Sequence, residues 1–121
     1  MSMLTDQFDD YPRVHGDRRN LLIHAVAVPV FDVAIVGAAV SVAARSWPGA
    51  LAGVVVAAVA FAAEGRGHGL EANRPIPFAG PVNALSRIFA EQFVTFPRFV
   101  VSGGWARAYR SAGGLSNRGG P

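Results

Sequence analysis

Leu21-Leu22-Ile23-His24-Ala25-Val26-Ala27-Val28-Pro29-Val30-Phe31-Asp32 opens an apolar run that continues to Ala44, with His24 and Asp32 its ionisable groups. A helix needs about 20 such residues to cross a bilayer core, so the run predicts a membrane span over 20–44. Pro29 is expected to kink it, because proline removes one donor and crowds the preceding turn. Asp32 lies one turn further on and is costly in lipid, so it is expected to face protein or water. Arg45-Ser46-Trp47-Pro48-Gly49 then reads as a tight interfacial turn, with Trp47 at headgroup level and Pro48 at a helix start.

A second apolar run, Ala50 to Ala63, is dominated by Ala and Val. It reaches spanning length only by taking in the glycine-rich stretch around His68, so the second helix is expected over 49–70. Its small residues permit close packing against the first helix. Residues 1–19 are polar and predict a short helix or turn, broken near Pro12 and Gly16. Beyond a rigid connection at 76–81, Val82–Trp105 interleaves Leu85, Ile88, Phe89, Phe93, Phe96 and Phe99 with Arg87, Glu91, Gln92 and Arg98. That pattern predicts a bent amphipathic third helix, lying in the interface over the cytoplasmic mouth of the hairpin. The fold class is therefore all-α: a small integral membrane protein made of an antiparallel transmembrane hairpin plus an amphipathic third helix. One helical domain is expected over 1–112, followed by a Gly- and Ser-rich disordered tail, 113–121.

Composition agrees with this reading. Hydrophobic residues make up 51% of the chain and charged ones 16%, and the mean hydropathy is +0.31. Cysteine is absent, which excludes disulfides, thiolate metal sites and cysteine nucleophiles. Every basic residue is arginine, so lysine Schiff-base and general-base chemistry are excluded too. The arginines are scattered and form no nucleic-acid motif, which leaves anionic lipid headgroups as their expected partner. Arg13, Arg18 and Arg19 precede the first span, Arg66, Arg74 and Arg87 follow the second, and Arg45 lies between. The positive-inside rule then places both ends of the hairpin in the cytoplasm. The expected location is the bacterial inner membrane, with the site on its cytoplasmic face; the oligomeric state is open.

The polar residues that need explaining lie in Glu64-Gly65-Arg66-Gly67-His68-Gly69-Leu70-Glu71-Ala72-Asn73-Arg74-Pro75. On a continuous helix Glu64, His68 and Glu71 fall on one face. An antiparallel hairpin brings the end of its second helix beside the start of its first, so His68 can meet His15 and His24. Asn20 lies one turn before His24 and can orient its imidazole or a ligand. Three neutral imidazoles with a nearby carboxylate suit Fe(II), Zn(II) or Cu(II). Haem held by His24 and His68 is a further reading, as is a surface or interfacial role for each histidine. No serine lies in a nucleophile elbow, and no βαβ unit surrounds the glycines.

The segments Tyr11…His15-x4-Asn20-x3-His24-x4-Pro29 and Gly67-His68-Gly69…Glu71-x3-Pro75 resemble the fungal 2-hydroxy fatty acid dioxygenase family, over Phe8 to Trp105. The resemblance implies an iron(II)-dependent oxygenase at the membrane surface that shortens 2-hydroxy fatty acids by one carbon. It makes His15, His24 and His68 the Fe(2+) ligands, with Glu71 or Glu64 as the accompanying carboxylate. Arg66 or Arg74 is then expected to pair with the substrate carboxylate, and Asn20 to orient substrate or ligand. Glu64-Gly65-Arg66-Gly67-His68 is more polar than the corresponding Gln-Phe-Ile-Gly-His of the family. That departure motivates the alternative of a non-catalytic membrane protein of the same fold, binding lipid or a partner.

Overall fold

The computed structural model describes residues 2–118, and every regular element among them is helical. Helix α1 (Met3–Asp10) leads through a 3-10 turn (Tyr11–Val14) into α2 (Arg18–Ala43), which runs through Pro29. Asp17 caps α2, its side chain accepting from the Arg19 N–H and so satisfying one of the four free donors of the first turn. A turn with Arg45 at φ 56° reverses the chain into α3 (Trp47–His68). Both hairpin helices therefore lie within a few residues of their expected bounds.

The hairpin closes along a seam of small residues. A Cβ added at Gly53 would stand 2.7 Å from the Ala34 carbonyl oxygen, so only glycine lets the two backbones approach this closely. Ala57 and Ala60 continue the seam and bury against Ala27 and Phe31. The outer faces stay apolar and exposed, with Val33 at 73%, Leu51 at 66% and Val59 at 66%. Only 28% and 22% of the most apolar stretches of α2 and α3 are buried within the protein. A soluble protein's core helix is mostly buried, whereas these two are long and apolar enough to cross a membrane. Asp32 is half-buried, and its Oδ1 has no hydrogen-bond partner among the described residues.

The third segment is more divided than its periodicity suggests. Helix α4 (Pro81–Ala90), a π-helical turn (Glu91–Thr95) and α5 (Phe96–Val101) follow one another without a gap. The π turn precedes Pro97, which has no N–H to continue the α-helical ladder; the Phe96 N–H reaches back to the Glu91 carbonyl instead. The chain then turns at Ser102–Gly103, so Trp105 falls in a separate helix, α6 (Gly104–Arg118). The expected single helix to Trp105 is corrected on that point. Helix α6 also continues past residue 113, where composition placed the start of a disordered tail; residues 119–121 of that tail lie outside the described part.

Helices α1, α5 and α6 fold over one end of the hairpin. Tyr11, Leu21, Val28, Phe96 and Phe99 form a core there, with Phe8, Trp105 and Tyr109 packed around it. The Trp105 indole N–H donates to the Leu21 carbonyl at 3.0 Å, tying α6 to the first turn of α2.

Candidate metal centre

Beneath this cap the three histidines meet. His15 follows the 3-10 turn, His24 lies two turns into α2, and His68 ends α3. Their ring centroids are 4.6, 4.8 and 5.0 Å apart, and their planes cross at 90°, 78° and 83°. The three rings therefore meet edge to face around one point rather than in a stack.

The protonation pattern follows from the neighbours. His15 Nδ1 donates to the Tyr11 carbonyl at 2.9 Å, and His24 Nδ1 to the Asn20 carbonyl at 3.0 Å. A carbonyl only accepts, so each Nδ1 carries the ring proton and each Nε2 of a neutral ring presents a lone pair. Those two Nε2 atoms stand 3.3 Å apart. Two lone pairs that close repel unless a proton or a cation lies between them. Burial first, then the imidazoles of His24 and His68, holds His15 well below the usual histidine range, which keeps it neutral and ready to ligate.

A fourth donor joins from the π turn. Glu91 Oε1 stands 3.4 Å from His24 Nε2 and 4.0 Å from His15 Nε2. One atom from each of His15, His24, His68 and Glu91 falls within 4.8 Å of the others. With metal–ligand bonds of about 2.0–2.2 Å, donors around one ion lie about 3–4.4 Å apart, so the set needs only slight contraction. His68 Nδ1 is buried and has no hydrogen-bond partner among the described residues, which suits a metal-ligating nitrogen. The donor chemistry fits a divalent cation.

Tyr11 braces this set from two sides. Its ring stacks on His15 at 3.7 Å, and its hydroxyl donates to Glu91 Oε1 at 3.3 Å. Burial, then the negative charge of Glu91, pushes the phenol well above its usual range, so it stays a donor.

The remaining expected residues are placed as follows. Glu64 is buried beside the cluster, with Oε1 3.6 Å from His24 Nε2 and accepting from the Gln92 amide at 2.7 Å. Glu71 does not share a face with Glu64 and His68, because α3 stops at the glycines around His68. Its carboxylate turns instead to the start of α2, accepting from the Gly16 N–H at 2.8 Å, the Asp17 N–H at 3.0 Å and the Asn20 amide at 2.7 Å. Asn20 steadies His24 through its main-chain carbonyl, while its side chain clamps Glu71 and packs on Gly67, where a Cβ would collide with it. Arg66 and Arg74 are exposed.

Among the described residues, two clefts reach both His68 and Glu91. One of about 460 Å³ is bounded by Tyr11, His15, His68, Ile76, Arg87 and Glu91. The other, of about 280 Å³, runs past Phe61, Glu64, His68, Phe78, Arg87 and Glu91. Periodicity places Glu91 and Arg87 on the polar side of an amphipathic helix, whereas in the structure both line these clefts. Gln92 and Thr95, polar residues on the inward face between Ile88 and Phe99, were the available signal, and both are buried.

No curated protein and no solved structure matches this sequence. Residues 1–96 match the family described as 2-hydroxy-palmitic acid dioxygenase Mpo1-like, a stretch that takes in His15, His24, His68 and Glu91. With most of its length matched, and with its histidine segments gathered at one buried point, the chain belongs to the Mpo1-like family.

Proposed function

We propose that this chain is an iron(II)-dependent oxygenase that shortens 2-hydroxy fatty acids by one carbon at the cytoplasmic face of a membrane. The observation that carries the reading is the gathering of three perpendicular imidazoles and Glu91 at the end of an apolar hairpin, open to two clefts. Non-haem Fe(II) favours histidine and carboxylate donors that leave positions free for other ligands. The description of the family supplies the substrate class.

The reaction balances with O2 as sole oxidant: one 2-hydroxy acid and one O2 give the acid shortened by one carbon, CO2 and water. Bound iron supplies the electron transfer that lets O2 react with an otherwise inert hydroxy acid. The chain does the rest. The Tyr11 and Asn20 carbonyls fix the tautomers of His15 and His24, and the Tyr11 hydroxyl fixes Glu91. Phe96 and Phe99 are buried beside Tyr11, with Phe99 near the His15 ring and Phe96 near the His24 ring, and shield that side of the cluster from water. The exposed valines of the hairpin suit lipid surroundings, and Phe61, Ile76 and Phe78 along the smaller cleft offer an apolar wall to an acyl chain.

Purified protein in detergent is expected to bind Fe(II) and to consume O2 with 2-hydroxypalmitate, releasing CO2. Full activity in a His24→Ala, His68→Ala double variant would overturn the assignment.

A further inference from the structure

Resting on that reading, we infer that Arg87 is the residue that binds the substrate carboxylate and so sets the preference for an acid. Arg87 lines both clefts that reach His68 and Glu91, and it is the arginine they share. Arg107 lines a third cavity, which touches His15 but neither His68 nor Glu91. An arginine at the common wall of both clefts offers its charge to a carboxylate that enters either one.

The guanidinium is also held in place. Its Nη1 donates to the Pro77 carbonyl at 3.1 Å and its Nη2 to the Ile76 carbonyl at 2.8 Å. The Phe78 ring lies 4.7 Å from its central carbon. Arginine carries five N–H donors in a planar fork, so the Nε–H and one hydrogen on each Nη stay free for a ligand. The fork is thus fixed on one edge by the strap 76–78 and left open on the other. A carboxylate bound to that open edge gains charge-assisted hydrogen bonds without first having to order the side chain. Asp10, which lines the larger cleft, is paired with Arg13 at 2.6 Å and does not compete for Arg87.

The strap gives Arg87 a second task, since its bonds to residues 76 and 77 hold one wall of both clefts. A purely structural role and a carboxylate-binding role therefore have to be told apart. Comparing 2-hydroxypalmitate with its neutral amide, 2-hydroxypalmitamide, does so, because the two share chain and hydroxyl and differ in charge. Binding of each is measured by calorimetry on the full chain in detergent, without O2 so that no turnover occurs. Differences in micelle partition cancel between variants.

Wild-type protein should prefer the acid, and Arg87→Gln should reduce acid affinity by about 10–100-fold more than it reduces amide affinity. Arg87→Lys, which keeps a charge but not the fork, should retain part of the preference and provides the comparison if Arg87→Gln does not fold. Equal losses for acid and amide would assign Arg87 to the strap alone and overturn the inference. An unchanged acid preference in Arg87→Gln, or none in the wild type, would overturn it as well. Iron binding and O2 consumption are measured separately, so failure here is distinct from failure of the oxygenase reading.

Discussion

His15 and His24 face each other through Nε2 atoms 3.3 Å apart, and each donates a ring proton, from Nδ1, to a backbone carbonyl. The pairing has a consequence for pH. His15 is held below its ordinary value of 6.5 by burial and by its neighbouring imidazoles, so in the fold it stays neutral where an exposed histidine is half protonated. The unfolded chain binds that proton first. This residue's contribution to stability is therefore complete above about pH 6.5 and is lost as pH falls below it toward the folded value. In metal-free protein at pH 6, nitrogen NMR of His15 should report a neutral ring with the proton on Nδ1. A protonated His15 at that pH would contradict the geometry.

The contact between Gly67 and the Asn20 side chain makes a second prediction. A methyl group at Gly67 would occupy the space of the Asn20 carboxamide, so Gly67→Ala should destabilise the protein by about 1–3 kcal/mol. Asn20→Ser shortens the clashing group but removes the amide donor to Glu71. The double variant should then be more stable than the sum of the two single losses implies, a coupling that thermal unfolding can measure. Strict additivity would mean that the two residues do not press on each other.

The absence of cysteine allows a clean topology test. Single cysteines at the exposed positions Asp9, Ser46 and Ala72 can be labelled from either side of a sealed vesicle. With the hairpin spanning, positions 9 and 72 should react from the same side and position 46 from the other. Labelling of 9 and 72 from opposite sides would exclude the hairpin.

The hairpin was legible because its signal is local: two apolar runs, a Trp-Pro-Gly turn between them, and small residues on one face. The meeting of the histidines followed from it, since antiparallel packing sets His68 beside the start of α2. The carboxylates were not legible in the same way. Glu71 reads as one face with His68 only if the helix continues, and the glycines end it. Glu91 sits on another element, and what brings it to His24 is tertiary: the π turn before Pro97 and the docking of Gln92 on Glu64. Periodicity assigned Glu91 to a solvated face, because no spacing rule links it to a histidine so far away in sequence.

That difference among three carboxylates supports the last prediction. Glu91→Gln keeps the shape and an oxygen acceptor for the Tyr11 hydroxyl, but removes the charge 3.4 Å from His24 Nε2. Metal affinity should fall by at least about 10–100-fold with little change in the melting temperature of the metal-free protein. Glu71→Gln should do the reverse. Its carboxylate accepts from two backbone N–H groups at the start of α2 and from Asn20. An amide there puts donors against donors, for a loss of about 1–3 kcal/mol in stability with metal stoichiometry retained. Glu64→Gln should lie between them, since its oxygen is 3.6 Å from His24 but is already bound to Gln92, whose amide can reverse to suit a glutamine. Competition against a chromophoric chelator reads the first quantity and thermal unfolding the second. If Glu71→Gln released metal as readily as Glu91→Gln, the assignment of Glu91 as the fourth donor and Glu71 as the clamp would have to be exchanged.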